Sequence, residues 1–176
     1  LRKNTTVRGG RPLYIVDGYN VILSRKSFTE NRNLEEARAY LTNLIDSYAS
    51  KKMIEAVVVW DGDGSYQSDR RGGSRVKNIF TRTNQSADSR IVSMIEKMSD
   101  RKRVIVVSDD RRHITGIAVN LGAKSINVQN FLNLLGVRMP SKKMQKKKYY
   151  DHGNEKSMAD DLSVNEWLKL FKSRKM

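Results

Sequence analysis

The sequence predicts an α/β fold: a mainly parallel sheet covered by helices on both faces. Three observations carry this. Short runs of apolar, often β-branched residues recur at Leu13 to Val16, Ala56 to Trp60 and Val104 to Val107, and such runs read as strands buried on both sides. Segments with apolar residues at helical spacing lie between them. The connections are short, so strand–helix–strand crossovers return each strand parallel to the last. A length of 176 residues suits one compact domain plus a tail, large enough to bury a core without disulfide or metal staples.

Along the chain, Leu13 to Val16 reads as a strand that ends in a tight turn, Asp17-Gly18-Tyr19-Asn20. Leu34, Ala37, Leu41, Leu44, Ile45 and Tyr48 keep helical spacing, with Asn33 as N-cap and Glu35 and Glu36 in the first turn. Ala56 to Trp60 is the second strand. The stretch from Gly62 to Arg75 holds four glycines, at 62, 64, 72 and 73, and reads as a loop bearing Arg70, Arg71 and Arg75. Val76 to Thr81 is a third strand. Ser86 to Met98 forms a helix with the stripe Ala87, Ile91, Met94, Ile95 and Met98. Asp88 stands three residues before Ile91 and seven before Ile95, which turns it to the core side of that helix. Arg103 to Val107 is the next strand, and Ile114 to Leu121 a helix stopped by Gly122. Ala123 to Val128 is a last strand, and Gln129 to Leu135 a short helix closed by Gly136.

The composition then changes, which divides the chain into a core at 1–136, a basic arm at 137–161 and a terminal helix at 162–176. The arm gathers Arg138, Lys142, Lys143, Lys146, Lys147 and Lys148 just before Tyr149 and Tyr150. It is too charged to bury, and it pairs lysines that track phosphates with rings on which bases stack. Ser163 and Glu166 make a capping box, and Val164, Trp167, Leu168 and Phe171 an apolar face. So short a helix must dock, on the core, on a second copy or on a larger partner.

The charge balance narrows the partners. Lys plus Arg number 34 against 19 Asp plus Glu, a formal +15, with a pI near 10.1. Such a surface attracts polyanions, nucleic acid first. There are no cysteines, which removes thiolate chemistry and Cys-ligated zinc. No apolar stretch approaches the roughly 20 residues that span a bilayer. The chain is read as soluble and cytoplasmic.

Against this basic background, acids collect at strand ends: Asp17, Asp61, Asp88 at a helix start, and Asp109, doubled by Asp110. Ligands of open α/β sheets bind beyond the carboxyl ends of the strands. Three or four carboxylates there suit Mg²⁺ or Mn²⁺, leaving positions for water and phosphate oxygens, and the reaction class that fits is phosphodiester hydrolysis. An aspartyl-phosphate phosphatase is disfavoured because Tyr19 occupies the place of its second aspartate. No Gly-x-Gly-x-x-Gly turn follows the first strand, and no Walker Gly-Lys-Ser or Gly-Lys-Thr occurs. The two histidines, His113 and His152, show no zinc or triad pattern and read as ordinary polar residues.

The order Val16-Asp17-Gly18-Tyr19-Asn20-Val21-Ile22, Val59-Trp60-Asp61-Gly62, Ser86-Ala87-Asp88, Val107-Ser108-Asp109 resembles the NYN branch of the PIN-like nucleases, in particular its bacterial YacP-like group. The resemblance covers Leu13 to Leu135. It implies a three-layer α/β/α sandwich and Mg²⁺- or Mn²⁺-dependent cleavage of RNA, in some members on mRNA at translating ribosomes. By this resemblance Asp17, Asp88 and Asp109 match the metal-binding acids and Asn20 the asparagine of the first motif. Asp61 matches less closely, with Asp63 two residues on as a substitute. The choice of RNA over DNA rests on the resemblance alone.

The expected function is therefore a metal-dependent endoribonuclease. Asp17, Asp88 and Asp109 hold the cation, Asp61 completes the site, and Asn20 positions water or a phosphate. Arg70, Arg71 and Arg75, with Lys142, Lys143, Lys146, Lys147 and Lys148, contact the RNA backbone. One alternative is an inactive relative that binds RNA or the ribosome without cutting. Another is an adaptor working through its C-terminal helix; deletion of Leu162 to Met176 separates the last from an enzyme, which keeps its cleavage of short RNA.

Overall fold

In a computed structural model of the chain, residues 10–62, 67–69 and 73–137 are described. Their strands are β1 (Leu13–Asp17), β2 (Glu55–Trp60), β3 (Gln67–Asp69), β4 (Val76–Phe80), β5 (Val104–Val107) and β6 (Lys124–Ile126). They form one sheet in the order β3-β4-β2-β1-β5-β6. Five strands run parallel, and β3 is antiparallel to β4 at the edge. The helices are α1 (Gly18–Leu23), α2 (Lys26–Thr29), α3 (Leu34–Lys52), α4 (Ala87–Glu96), α5 (Gly116–Asn120) and α6 (Val128–Leu134).

Alternation along β1 builds the two core layers. Tyr14 and Val16 face a cluster with Val21 and Ile22 of α1, Leu41 and Ile45 of α3, and Phe131 of α6. Leu13 and Ile15 face Ile91 and Ile95 of α4, with Ile114 and Ala118. Helices thus cover both faces of the sheet, and the expected α/β/α sandwich is present. The helix α3 begins as its sequence dictates. Asn33 Oδ1 accepts the Glu36 N–H at 2.8 Å, and Glu36 Oε2 accepts the Asn33 N–H at 3.0 Å.

The chain leaves β1 for β2 on one side and later reaches β5 on the other, so the connections from β1 and β5 diverge between these two strands. That divergence opens a crevice at their carboxyl ends. The register places the acids there. Asp17 pairs with Val59, one residue before Trp60 and two before Asp61, while Val16 pairs with Val107, just before Ser108 and Asp109.

Two expectations need correction. Asp17-Gly18-Tyr19-Asn20 is no tight turn: α1 starts at Gly18, and Asp17 is its N-cap, accepting the Asn20 N–H at 3.1 Å. The segment from Gly62 to Arg75 is not loop throughout, because β3 pairs Gln67 with Phe80 and Asp69 with Asn78. A polar three-residue edge strand has no apolar alternation to announce it. Among the described residues no helix is long and apolar enough to cross a membrane. The basic arm, Tyr149 and Tyr150, and the proposed helix at 162–176 lie outside the described residues.

Candidate metal centre

Asp17 is the centre of the site. It is 8% exposed, placed at the end of the central strand and held by the α1 cap. Ser108 Oγ stands 3.4 Å from its Oδ2. Burial, together with the charges of Asp88 and Asp61, pushes its carboxyl up to about 7, against the lowering effect of the Asn20 N–H and Ser108. Asp88 and Asp61, from two other segments, are thus close enough to oppose the ionisation of Asp17.

The local packing explains why the first motif needs its glycine. A Cβ at Gly18 would meet Trp60 Cε3 at 2.3 Å, and Trp60 is fully buried. The indole is held in turn by Nε1–H donating to Asn78 Oδ1 at 3.0 Å. Trp60 therefore positions the α1 start on one side and Asp61 on the other.

Asp61 receives the Ala87 N–H on its Oδ1, at the first turn of α4. This contact ties the end of β2 to the start of α4 and sets Asp88, the next residue, beside Asp17. Ser86 caps the same helix, its side chain accepting the Ser89 N–H at 3.2 Å.

Asn20 reaches across the crevice. Its Oδ1 accepts the Asp109 N–H at 3.0 Å, and Asp109 Oδ1 accepts the Val128 N–H at 3.0 Å at the start of α6. Asn20 thus fixes the turn after β5 directly, which the sequence did not reveal because the pair is 89 residues apart.

Asp17, Asn20, Asp61, Asp88 and Asp109 all line one cleft of about 380 Å³, with Tyr19, Leu23, Ser24, Ser86 and Asp110. Sequence reasoning placed Asp110 only as a double of Asp109. Its carboxylate instead makes its own turn. Oδ1 accepts the N–H groups of Arg112 and His113, both at 2.9 Å, and Oδ2 lies 3.1 Å from His113 Nδ1. Burial pushes this carboxyl up, but the His113 amide, the His113 ring and the Arg112 amide outweigh it and hold it below the ordinary value. His113, read from sequence as an ordinary polar residue, is therefore paired at the rim of the cleft. Asp88, Asp110 and His113 each bring a ligand atom within 4.8 Å of the other two. The signal available was Asp-x-x-His in Asp110-Arg111-Arg112-His113, too short and common to weigh alone.

Arg75 is not brought to this cleft. It precedes β4 at the amino edge of the sheet, where its N–H donates to Asp46 Oδ1 at 2.9 Å and its Nη2 lies 3.5 Å from Met53 Sδ. Asp63, Arg70, Arg71, Lys142, Lys143, Lys146, Lys147 and Lys148 lie outside the described residues.

The donor set fits a hard divalent cation. Carboxylate oxygens are its preferred ligands, and a buried Asp17 whose ionisation is opposed by neighbouring acids is a place where added positive charge lowers the energy.

The model of the YacP-like NYN domain matches residues 14–175. The chain belongs to the YacP-like NYN family. The match takes in the basic arm and the terminal segment as well as the sheet domain, further than the motifs alone extend. Two solved structures of Rae1 (YacP) from Bacillus subtilis are similar to this NYN domain. One, of a point mutant, is 24% identical with a TM-score of 0.58, covering 71% of this chain and 75% of that one. The other is 20% identical with a TM-score of 0.58, covering 93% and 83%. At these identities the likeness establishes the shared fold. No curated protein matches the chain. Membership relates this NYN domain to the PIN-like nucleases and so to RNase-type chemistry.

Proposed function

We propose that the chain is a Mg²⁺- or Mn²⁺-dependent endoribonuclease, acting in the cytoplasm on mRNA or ribosome-associated RNA. The observation that carries this reading is the convergence of Asp17, Asp61, Asp88 and Asp109, from four separate segments, on one cleft in a chain of net charge +15. Asp17, Asp88 and Asp109 would hold the cation, with Asp61 completing the set. A divalent cation held there would supply an activated water and a counter-charge for the leaving oxygen.

The chain's own residues supply the rest. Asn20 holds the Asp109 turn in place, Asp61 anchors the helix that carries Asp88, and the Trp60–Gly18 contact sets the angle at which α1 leaves Asp17. Arg70, Arg71 and Lys142, Lys143, Lys146, Lys147 and Lys148 are proposed to bind the RNA backbone. The amino-edge position of Arg75 favours a smaller part for it.

Labelled single-stranded RNA and its DNA equivalent, incubated with the purified chain in Mn²⁺, Mg²⁺ or EDTA, test the proposal. Internal cuts in RNA that need the cation are expected. RNA binding without cutting under every condition would favour an inactive RNA- or ribosome-binding adaptor.

A further inference from the structure

We infer that Asp88, Asp110 and His113 form a nitrogen-containing cation position at the rim of the cleft, one that favours a first-row transition-metal dication such as Mn²⁺ over Mg²⁺. It rests on the nuclease reading for its use, and its test needs no RNA.

The three ligand atoms lie within 4.8 Å of one another. His113 Nδ1 and Asp110 Oδ2 are 3.1 Å apart. Adjacent ligands on a six-coordinate cation with bonds of about 2.1 Å stand roughly 3 Å apart. The separation that a shared hydrogen spans is therefore also that of two neighbouring donors on one ion.

Asp110 is oriented for the purpose. The Arg112 and His113 amides both hold its Oδ1, leaving Oδ2 turned to the imidazole. The turn that brings the ring back is a π-helix, Arg111–Thr115, where the Gly116 N–H donates to the Arg111 carbonyl. A Cβ at Gly116 would lie 2.7 Å from that carbonyl oxygen, so the glycine makes the turn possible. Single π turns recur at functional sites. The His113 side chain is 66% exposed, open to an arriving hydrated ion.

Asp88 belongs to both sets, since it lines the cleft beside Asp17 and Asp61. An all-carboxylate set suits Mg²⁺ and Mn²⁺ alike, whereas an imidazole nitrogen adds affinity for transition metals and little for Mg²⁺.

The experiment titrates Mn²⁺ alone, and separately Mg²⁺ alone, into the 176-residue chain and into its His113→Ala and His113→Gln variants. Calorimetry gives the affinity and pulsed electron paramagnetic resonance the ¹⁴N coupling of bound Mn²⁺. Wild type is expected to show imidazole coupling that both variants lose. Mn²⁺ affinity should fall about tenfold or more in each, with Mg²⁺ affinity changed by less than about twofold. Glutamine retains a donor for Asp110, so equal loss in the two variants at unchanged Tm separates ligation from a structural role. No coupling in wild type, or coupling that survives in His113→Ala, overturns the inference, the latter assigning the nitrogen to another group. RNA cleavage is scored apart from this: His113-dependent coupling in a chain that cuts no RNA leaves the cation position standing and sinks the nuclease reading.

Discussion

In the proposed site, Asp17 would couple ionisation to cation binding. Its carboxyl is raised from an ordinary 3.8 to about 7, first by burial and then by Asp88 and Asp61. The stability associated with its proton is fully present below pH 3.8 and lost as pH rises through about 7. Above that, the ionised group costs the metal-free fold on the order of a few kcal/mol. A cation must displace the same proton, so its affinity should fall as pH falls below about 7, approaching tenfold per pH unit. Calorimetric titrations with Mg²⁺ at pH 6 and pH 8 check this, and an affinity independent of pH would remove Asp17 from the site. The strand-end acids were legible in the sequence because each follows an apolar run whose end must face the sheet edge. The partners of Asn20 and Asp110 were not, since one lies far along the chain and the other depends on a π turn.

At the scale of elements, legibility followed local signals. The helix α3 announced itself by its capping box and apolar spacing, and Gly122 and Gly136 marked helix ends where the structure has φ of +91° and +78°. The start of α1 was hidden because Asp-Gly-Tyr-Asn is also good turn chemistry. What decides for helix is tertiary: Val21 and Ile22 are fully buried, and Gly18 lies against Trp60. Gly18→Ala should therefore overpack this contact, lowering stability by about 1–3 kcal/mol and tilting Asp17. Urea unfolding and the Mg²⁺ affinity of the variant measure both effects, and a variant with wild-type values would mean that the indole yields freely.

At the scale of the whole molecule, the excess of 34 basic over 19 acidic residues is set against an acidic cleft. Composition made this opposition visible, and the sheet order explains it: five parallel strands deliver their carboxyl ends to one edge. Replacing Lys142, Lys143, Lys146, Lys147 and Lys148 by Gln should weaken binding of every RNA sequence alike. It should also make the log–log salt slope shallower by roughly 0.7 for each phosphate of a single strand that the arm no longer neutralises; fluorescence anisotropy across a salt series reads this, and an unchanged slope would mean the arm does not touch the backbone. The central claim, that the gathered acids form a cation-dependent hydrolytic site, is tested most directly by comparing Asp17→Asn with wild type. RNA cleavage in Mn²⁺ would be measured beside the metal-free Tm at pH 8. Asparagine still caps α1 and removes the buried charge, so the account predicts that cleavage disappears while the Tm stays level or rises. Cleavage at the wild-type rate in a folded variant would contradict it.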